Sequence, residues 1–445
     1  MSGSQTLGDP LLGFANDSAP SLLPAGVSRR ATLAGLGGLA LPAMAGAMRP
    51  LEVGKQYRST GRTLTDLTRT LGVCISGSGN QDSNLAALRG IGATWVRTKV
   101  HLGYRSQPTW FAKLAANGIK VNGLMGNPDG DGGTPEQLVA RVAESLAPYM
   151  NSLEGANEWN LNGGSDWLPE LVNHQTRLWN AAKGNAVTRG IPVLGPALGM
   201  RQGYEEFGNR SSIMDYGNFH LYTGGYVPGY RTDDMIARQR IVCGSKPMYV
   251  TETGWHNAVN WRGPHYYTPE AVAGLYAPRL LLEYFIRDVP KLAIYKLTDS
   301  NDPDKNDRES NFGLLRVDGS RKPAYTSFAN LNTIMTRQYR TGGRAGTPLS
   351  FTFRGGPADL RTALVARPDG RYLFFLWRSQ AAVWDPKKRL NLTPTTETAT
   401  IDWGGTRSVR RFAPATSSTA ISTTTTSQSS VELKAQLEVL EVSPA

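Results

Sequence analysis

The chain has 445 residues and a formal net charge of +12 at pH 7, from 48 lysines and arginines against 36 aspartates and glutamates. This length suits one large domain and one smaller domain, and 40% hydrophobic with 19% charged residues is ordinary for a globular protein. Two cysteines exclude a disulfide-based scaffold and any multi-cysteine metal site. No apolar run reaches about 18 residues, so we expect no transmembrane segment.

The positive charge is spread along the chain rather than concentrated. The densest basic cluster is Lys387-Lys388-Arg389, and no run of five basic residues occurs. A diffuse excess of this kind is more typical of solubility than of nucleic-acid recognition, so we predict no nucleic-acid partner. We expect the chain to act as a monomer.

Residues 1–47 have the organisation of an export signal. Arg29 and Arg30 precede a weakly apolar stretch that ends in Ala45-Gly46-Ala47, a small-x-small cleavage pattern. The arrangement resembles a twin-arginine signal, which implies a periplasmic or secreted protein whose mature chain begins near Met48. The alternative is a flexible N-terminal tail.

Residues 48–69 are interpreted as a lead-in, and residues 70–335 alternate short β-type runs with helical patterns such as Pro135–Leu146, Leu168–Thr188 and Pro269–Arg287. Such alternation predicts a parallel sheet, because parallel neighbours need a crossover. Eight units in about 250 residues predict an α/β fold of the (β/α)8 barrel type. A doubly wound sheet is the alternative, but no Gly-x-Gly-x-x-Gly follows the first strand. The predicted strands are Leu71–Ser76, Thr94–Val100, Lys120–Met125, Leu153–Asn157, Ile191–Pro196, Tyr216–Tyr222, Pro247–Glu252 and Leu292–Thr298.

Residues 340–445 change character, since β-type runs follow one another with turn residues between them. This spacing predicts an antiparallel β-sandwich. Pro368-Asp369-Gly370 predicts a tight turn, because proline presets φ and glycine accepts a positive φ. Residues 415–430, rich in serine and threonine, are interpreted as a loop that leads into the last strand. The predicted strands are Leu349–Arg354, Thr362–Ala366, Tyr372–Arg378, Thr398–Trp403 and Val431–Val442.

In a (β/α)8 barrel the active site lies at the C-terminal ends of the strands. The fourth strand runs into Glu154-Gly155-Ala156-Asn157-Glu158-Trp159-Asn160, and the seventh ends in Thr251-Glu252-Thr253-Gly254-Trp255. Each motif places a carboxylate directly after an apolar run. Two carboxylates that face one cleft suit cleavage of a glycosidic bond, since one protonates the leaving oxygen and the other attacks or stabilises the sugar cation. Either glutamate alone would be read as an ordinary strand-end acid paired with an arginine.

Over about residues 70–330, these motifs resemble those of the clan of retaining (β/α)8 glycoside hydrolases, clan A, which has cellulase-like and β-xylosidase-like members. The resemblance implies that Glu158 is the acid/base and Glu252 the nucleophile. It also implies that Asn157 hydrogen-bonds the sugar 2-hydroxyl. An aromatic hydroxyl from the sixth strand is expected to contact the nucleophile, and Tyr222 is the candidate.

Other strand ends supply further candidates for substrate binding. Arg97 is expected to keep the nucleophile ionised through a charge-assisted hydrogen bond, with a salt bridge inside the barrel as the alternative. His220 points the same way as Tyr222, with a structural histidine as the alternative. Trp255 is expected to offer a stacking face to the sugar, since no tryptophan ends the eighth strand. Asp299 is expected either to contact a sugar hydroxyl or to cap a loop.

The sequence lacks the motifs of serine hydrolases and of zinc metalloproteases. No Gly-x-Ser-x-Gly or His-Glu-x-x-His occurs, and the five histidines show no metal-ligand spacing, so no metal or cofactor is predicted. We therefore predict an exported glycosidase of polysaccharides or oligosaccharides that acts by double displacement, for which the pKa of Glu158 is expected to be raised. The alternatives are a non-catalytic glycan-binding barrel of the cell envelope and a basic surface protein that binds acidic glycans through its C-terminal domain.

Overall fold

The structure is a computed structural model that describes residues 52–59, 61–76, 81–300, 304–337 and 347–443. The predicted export signal, residues 1–47, lies outside these ranges. No helix within them is both long enough and apolar enough to cross a membrane.

The chain begins, in its described part, with two short strands and one helical turn. Strand β1 is Gln56–Ser59, strand β2 is Arg62–Thr63, and helix α1 is Leu64–Thr68. Both strands join the sheet of the C-terminal domain, in which β1 pairs with Leu349–Thr352 and β2 with Val365 and Ala366. The interpretation of residues 48–69 as a mere lead-in is therefore corrected, because this segment supplies both edges of that sheet.

Eight parallel strands form the predicted barrel. They pair in the order β7-β6-β5-β4-β3-β10-β9-β8, and a parallel bridge between Leu194 and Tyr216 joins the two ends of that order. All eight predicted strands are confirmed, and a doubly wound open sheet is excluded by this closure. The strands are β3 Leu71–Cys74, β4 Trp95–Lys99, β5 Lys120–Leu124, β6 Met150–Glu154, β7 Val193–Leu194, β8 Gly217–His220, β9 Met248–Thr253 and β10 Leu292–Ile294.

Helices follow the strands and cover the barrel. The three predicted helical patterns are confirmed, and the first of them continues through a π-helical turn at Val142–Leu146. Its start is set by Thr134, whose side chain accepts from the Gln137 amide in a capping box, with Pro135 at the first helical position. The helices are α2 Gln81–Gly90, α3 Gln107–Ala116, α4 Pro135–Arg141, α5 Trp159–Asn162, α6 Trp167–Gly184, α7 Tyr204–Phe207, α8 Thr232–Cys243, α9 Glu270–Phe285 and α10 Pro323–Thr336.

The C-terminal residues form the predicted antiparallel domain. One sheet, ordered β1-β11-β16-β18-β13-β12-β2 with β17 on β16, closes around a second hydrophobic core. The first half of strand β16 pairs with β11 and its last residues pair with β18. Between them its register with β17 shifts from Asp402 to Arg407, at a bulge that contains Gly404 with φ +67°. The strands are β11 Leu349–Gly355, β12 Leu360–Ala366, β13 Tyr372–Arg378, β14 Trp384–Asp385, β15 Leu390–Asn391, β16 Glu397–Phe412, β17 Ser422–Leu433 and β18 Glu438–Val442.

Two details of the predicted domain have different outcomes. The turn at Pro368-Asp369-Gly370 is confirmed, since it joins β12 to β13 with Gly370 at φ +82°. The loop interpretation of residues 415–430 is wrong from Ser422 onward, because β17 pairs there with β16. Threonine has a high β propensity, so the polar composition of this segment hid an exposed strand.

Strand β13 explains how the two domains share their cores. Phe374 and Leu376 face the core inside the C-terminal sheet, whereas Phe375 and Trp377 pack into the core that belongs to the barrel. Because side chains alternate between the two faces of a strand, a strand buried on both faces reads as an unbroken apolar run. The accessory domain is therefore packed against the barrel across a hydrophobic interface.

A buried arginine crosses the same interface. Arg279, on α9 of the barrel, is fully buried and donates to four backbone carbonyls of the C-terminal domain. Its partners are the carbonyl oxygens of Arg378 at 2.7 Å, Ser379 at 3.3 Å, Ala381 at 3.0 Å and Ala435 at 2.6 Å.

Arg279→Met should destabilise the protein without removing much volume, because the four carbonyls lose their donor inside the interface. We expect a loss on the order of 3 kcal/mol in the free energy of unfolding, measured by urea denaturation. Arg177→Met is the matched control, since Arg177 forms an exposed pair with Glu136 and should cost less than about 1 kcal/mol. Equal losses in the two variants would contradict the role given to Arg279.

Candidate active site

Polar side chains from four strands meet at one end of the barrel. The strands are parallel, so their C-terminal ends open on the same side and bring distant sequence positions together. The side chains that meet there are Arg97 from β4, Glu154, Asn157 and Glu158 from the end of β6, His220 and Tyr222 from the end of β8, and Thr251 and Glu252 from β9.

Arg97 is the centre of this arrangement. Its guanidinium is 6% exposed and donates to Glu154 through Nε at 2.9 Å and Nη2 at 2.8 Å, and to Glu252 through Nη1. Nη2 also donates to the side-chain oxygen of Asn157 at 2.7 Å. Burial disfavours the charged guanidinium, but the two carboxylates outweigh it and hold the pKa of Arg97 well above its ordinary value.

Glu154 is a central residue that the sequence reasoning missed. It is fully buried and accepts from Arg97, from Asn122, from Asn218 at 3.0 Å and from the Thr251 hydroxyl at 3.0 Å. A buried carboxylate with this many donors is a fixed negative charge that holds Arg97 in place. The only signal in the sequence was its position directly after an apolar run, where it stood beside the more conspicuous Glu158.

Glu252 accepts at both carboxylate oxygens. Arg97 donates to Oε1, and the Tyr222 hydroxyl donates to Oε2 at 2.5 Å. The structure thus brings Arg97 and Tyr222 onto Glu252, as the sequence predicted. Its carboxylate is oriented from two sides and lies in a site that is mostly closed to water, at 8% exposure.

Glu158 lies opposite, on a strained backbone. Its φ is +47° and ψ is +37°, in the left-handed region that a non-glycine residue rarely adopts, and its amide donates to the Ala197 carbonyl at 2.9 Å. His220 contacts one carboxylate oxygen through Nδ1 at 2.8 Å, and its other ring nitrogen lies 3.1 Å from the Thr251 hydroxyl. Strain of this kind persists only where surrounding contacts over-determine the conformation.

The expected rise in the pKa of Glu158 is corrected. Burial by itself would raise that pKa, but the hydrogen bond and positive charge of His220, with Arg97 nearby, lower it overall. For His220 the opposite holds, since burial lowers its pKa while Glu252 and Glu158 raise it above the ordinary value. The opposite directions of these two pKa shifts favour a charged pair, in which the imidazole is protonated and the carboxyl is ionised.

Glu158, His220 and Glu252 form one compact group. One ring nitrogen and one oxygen from each carboxylate lie within 4.8 Å of one another, which is also a spacing that a metal ion can bridge. A cation held there would occupy the space between the two carboxylates. The sequence prediction of no metal stays a prediction.

Trp255 does not lie where its predicted role requires. It is 6% exposed, its indole N–H donates to the Thr223 hydroxyl at 2.9 Å, and its ring packs near Tyr276. A ring enclosed on these sides has no free face for a sugar, so the stacking role is corrected to a packing role.

Asp299 is also engaged elsewhere. It is 5% exposed, and its Oδ1 accepts from the Lys322 ammonium at 2.8 Å and from the Gly313 amide at 2.8 Å. Of the two predicted roles, the structure supports the loop-capping one. The sequence could not show this, because Lys322 lies 23 residues away.

Aromatic residues that the sequence did not single out surround Tyr222. The ring centroids of His265, Phe312 and Tyr295 lie 4.9, 5.4 and 6.2 Å from that of Tyr222. Tyr295 directly follows the eighth strand, and its hydroxyl lies 3.5 Å from Glu309. These contacts fix the orientation of the Tyr222 ring.

Solved structures share this architecture at low sequence identity. A family 39 glycoside hydrolase from Bacteroides cellulosilyticus aligns over 85% of this chain and 82% of its own, with TM-score 0.57 and 17% identity. A glucosidase from Croceicoccus marinus aligns over 88% and 100%, with TM-score 0.59 and 11% identity. A family 30 endoxylanase from Clostridium papyrosolvens aligns over 87% and 98%, with TM-score 0.51 and 11% identity.

These likenesses confirm the predicted barrel with an accompanying β-domain. The sequence matches no protein-family model and no curated protein. The structural likeness therefore defines the fold, and any conclusion about the reaction must come from the residues of the site.

The His220–Glu158 pair should make stability depend on pH in a defined window. Because the pKa of Glu158 is lowered, its contribution to stability is present above about pH 4.5 and is lost as the pH falls further. Because the pKa of His220 is raised, its contribution is present below about pH 6.5 and is lost as the pH rises. The difference in melting temperature between the wild type and His220→Gln should be largest between these two values. Glu158→Gln should narrow the same window, because Glu252 still raises the pKa of His220, and the double variant should lose little more than His220→Gln. A difference that grows towards pH 9 would contradict the ion pair.

Proposed function

We propose that the protein is a glycoside hydrolase that cleaves O-glycosidic bonds of an oligosaccharide or polysaccharide with retention of anomeric configuration. The observation that carries this proposal is the placement of Glu158 and Glu252 across the barrel mouth with one oxygen of each within 4.8 Å. Retaining enzymes hold their carboxyls about 5–5.5 Å apart, whereas inverting ones need about 6.5–9.5 Å to admit a water. The closeness of the two carboxylates favours the retaining mechanism.

Glu252 is the proposed nucleophile. Its carboxylate attacks the anomeric carbon and forms a glycosyl ester while the bond to the leaving oxygen breaks. Arg97 and Tyr222 hold both oxygens of Glu252 before the attack, so little reorientation is needed in the transition state. A water then attacks the same carbon and releases the sugar and the free carboxylate.

Glu158 is the proposed acid and base. It gives a proton to the leaving oxygen in the first step and takes one from the attacking water in the second. In this proposal the pair holds one proton between His220 Nδ1 and the Glu158 carboxylate, which lie 2.8 Å apart, and so carries the proton that the first step requires. Transfer within the pair places it on Glu158 when the leaving oxygen arrives.

Asn157 is proposed to bind the sugar at the 2-hydroxyl. Its side-chain oxygen accepts from Arg97 at 2.7 Å, which leaves the amide N–H groups as donors. A donor beside the nucleophile suits a hydroxyl on the carbon next to the reacting one, where hydrogen bonds strengthen in the transition state.

The two catalytic roles predict different mutant kinetics on whichever glycoside a broad glycan panel identifies. Glu252→Ala should lower kcat by at least about 10³-fold and leave substrate binding nearly unchanged. Glu158→Ala should slow substrates with poor leaving groups by about 10²–10⁴-fold and good ones far less, because only poor leaving groups need the proton. Azide added to Glu158→Ala should yield a glycosyl azide of retained configuration, identified by NMR.

Glu136→Ala is the control, since this glutamate lies in an exposed pair with Arg177 and should leave turnover unchanged. An inverted product from the wild type would overturn the retaining mechanism. Binding of glycans without any release of reducing sugar would instead favour the non-catalytic glycan-binding alternative.

We further propose that the protein is exported and acts as a monomer on its carbohydrate substrate. The support for export is Arg29-Arg30 followed by the Ala45-Gly46-Ala47 pattern. Replacing both arginines with lysine should trap the precursor inside the cell, as measured by fractionation and immunoblot. Normal export of the lysine variant would exclude the twin-arginine route.

A further inference from the structure

A short hairpin of the C-terminal domain lies on the barrel loop that follows the nucleophile strand. The hairpin is Trp384–Asn391, formed by β14 and β15, and the loop, which we call the β9 loop, is residues 254–269. The β9 loop begins two residues after Glu252, so its conformation bears directly on the site.

Arg389 makes the main polar contact between the two. Its guanidinium donates to the backbone carbonyls of Trp261 at 3.0 Å and Val259 at 2.5 Å. It also lies over the ring of Tyr267, 4.7 Å from the centroid. Arg262 donates to the same two carbonyls, but it belongs to the loop itself and cannot tie it to another element.

A second contact holds the other end of the loop. The Trp384 indole N–H donates to the Tyr267 carbonyl at 3.2 Å, and the two rings meet edge to face at 5.8 Å. The loop is thus held at positions 259, 261 and 267, on both sides of His265.

The hairpin is rigid enough to act as a support. The Asp385 side chain accepts from the amides of Lys387 and Lys388 at 3.0 Å, and its carbonyl accepts from the Arg389 amide at 2.7 Å. Arg389 itself has φ +57°, a conformation that costs a non-glycine residue free energy and persists where contacts over-determine it.

His265 connects the held loop to the site. It has φ +65°, and its carbonyl accepts from the His256 ring N–H at 2.6 Å. Its ring packs 4.9 Å from the ring of Tyr222 and 5.5 Å from that of Phe312. Tyr222 in turn donates its hydroxyl to Glu252 at 2.5 Å.

We propose that the Trp384–Asn391 hairpin is a positioning element of the active site, with Arg389 as its positioning residue. By holding the β9 loop on both sides of His265, it keeps the His265 ring against Tyr222 and the Tyr222 hydroxyl on Glu252. The C-terminal domain then belongs to the catalytic unit of the barrel instead of acting as a separate glycan-binding module. Supports of this kind matter because a displacement of about 1 Å in the reacting groups can cost roughly 10²-fold in rate.

The first test does not depend on catalysis. Hydrogen exchange followed by mass spectrometry should show faster exchange of backbone amides in residues 256–268 in Arg389→Ala than in the wild type, at an unchanged melting temperature. Arg389→Lys should restore part of the protection, because the lysine ammonium can still donate to a carbonyl but lacks the planar fork that reaches both. The matched control is Arg354→Ala in the same domain, where the arginine pairs with Asp402 and makes no contact with the β9 loop. Unchanged exchange in Arg389→Ala would overturn the proposal.

The second test rests on the proposed function and asks whether the effect passes through Tyr222. Arg389→Ala should lower kcat/KM roughly 10-fold in the wild type, whereas in a Tyr222→Phe background it should cost little more, since the hydroxyl it positions is already absent. Additive losses would overturn the proposal, because they would assign Arg389 a general stabilising role. A wild type that cleaves no glycan would refute the proposed function, and the exchange experiment would still decide whether the hairpin holds the loop.

Discussion

The site depends on one buried arginine that is shared by two carboxylates. Burial of Arg97 at 6% exposure is offset by paired negative charge, which Glu154 supplies from β6, two strands along the barrel. Because Asn122, Asn218 and Thr251 complete the contacts of Glu154, its charge is fixed in place. Arg97 can then turn its remaining N–H groups towards Glu252 and Asn157, which are the groups that face the cleft. Removing Glu154 would therefore disturb the cleft through Arg97 rather than by direct contact.

The second feature is the pair formed by His220 and Glu158. The carboxylates of Glu252 and Glu158 raise the pKa of the imidazole, whereas the hydrogen bond and charge of His220, with Arg97 nearby, lower the pKa of Glu158. The first step of the proposed mechanism requires a protonated Glu158. The directions of the two pKa shifts instead favour the proton on His220, so the proposed acid must receive it before or as the glycosidic bond breaks.

Backbone strain marks where the fold supports the site. Glu158, His265 and Arg389 all have positive φ, and each is held by contacts from another part of the chain. For Arg389 these contacts run from the C-terminal domain to the barrel, whereas those of His265 stay within the barrel. Together with Arg279 and the doubly buried strand β13, they make the two domains one packed body over the described residues.

The sequence by itself determined the barrel, because alternation of strands and helices with closely spaced apolar runs is compatible with few other folds. It also determined which residues at the ends of β6 and β9 belong to the site, because the C-terminal ends of the strands in a barrel face its mouth. It also placed Arg97, His220 and Tyr222 towards the same end. Only the tertiary structure decided their partners: Glu154 for Arg97, Lys322 for Asp299, Thr223 for Trp255 and the Trp384–Asn391 hairpin for the β9 loop. These pairs join positions from 23 to 130 residues apart. The local sequence pattern does not reveal such pairs, because packing between helices and strands decides which polar groups meet. The hydrophobic period within a single helix or strand does not.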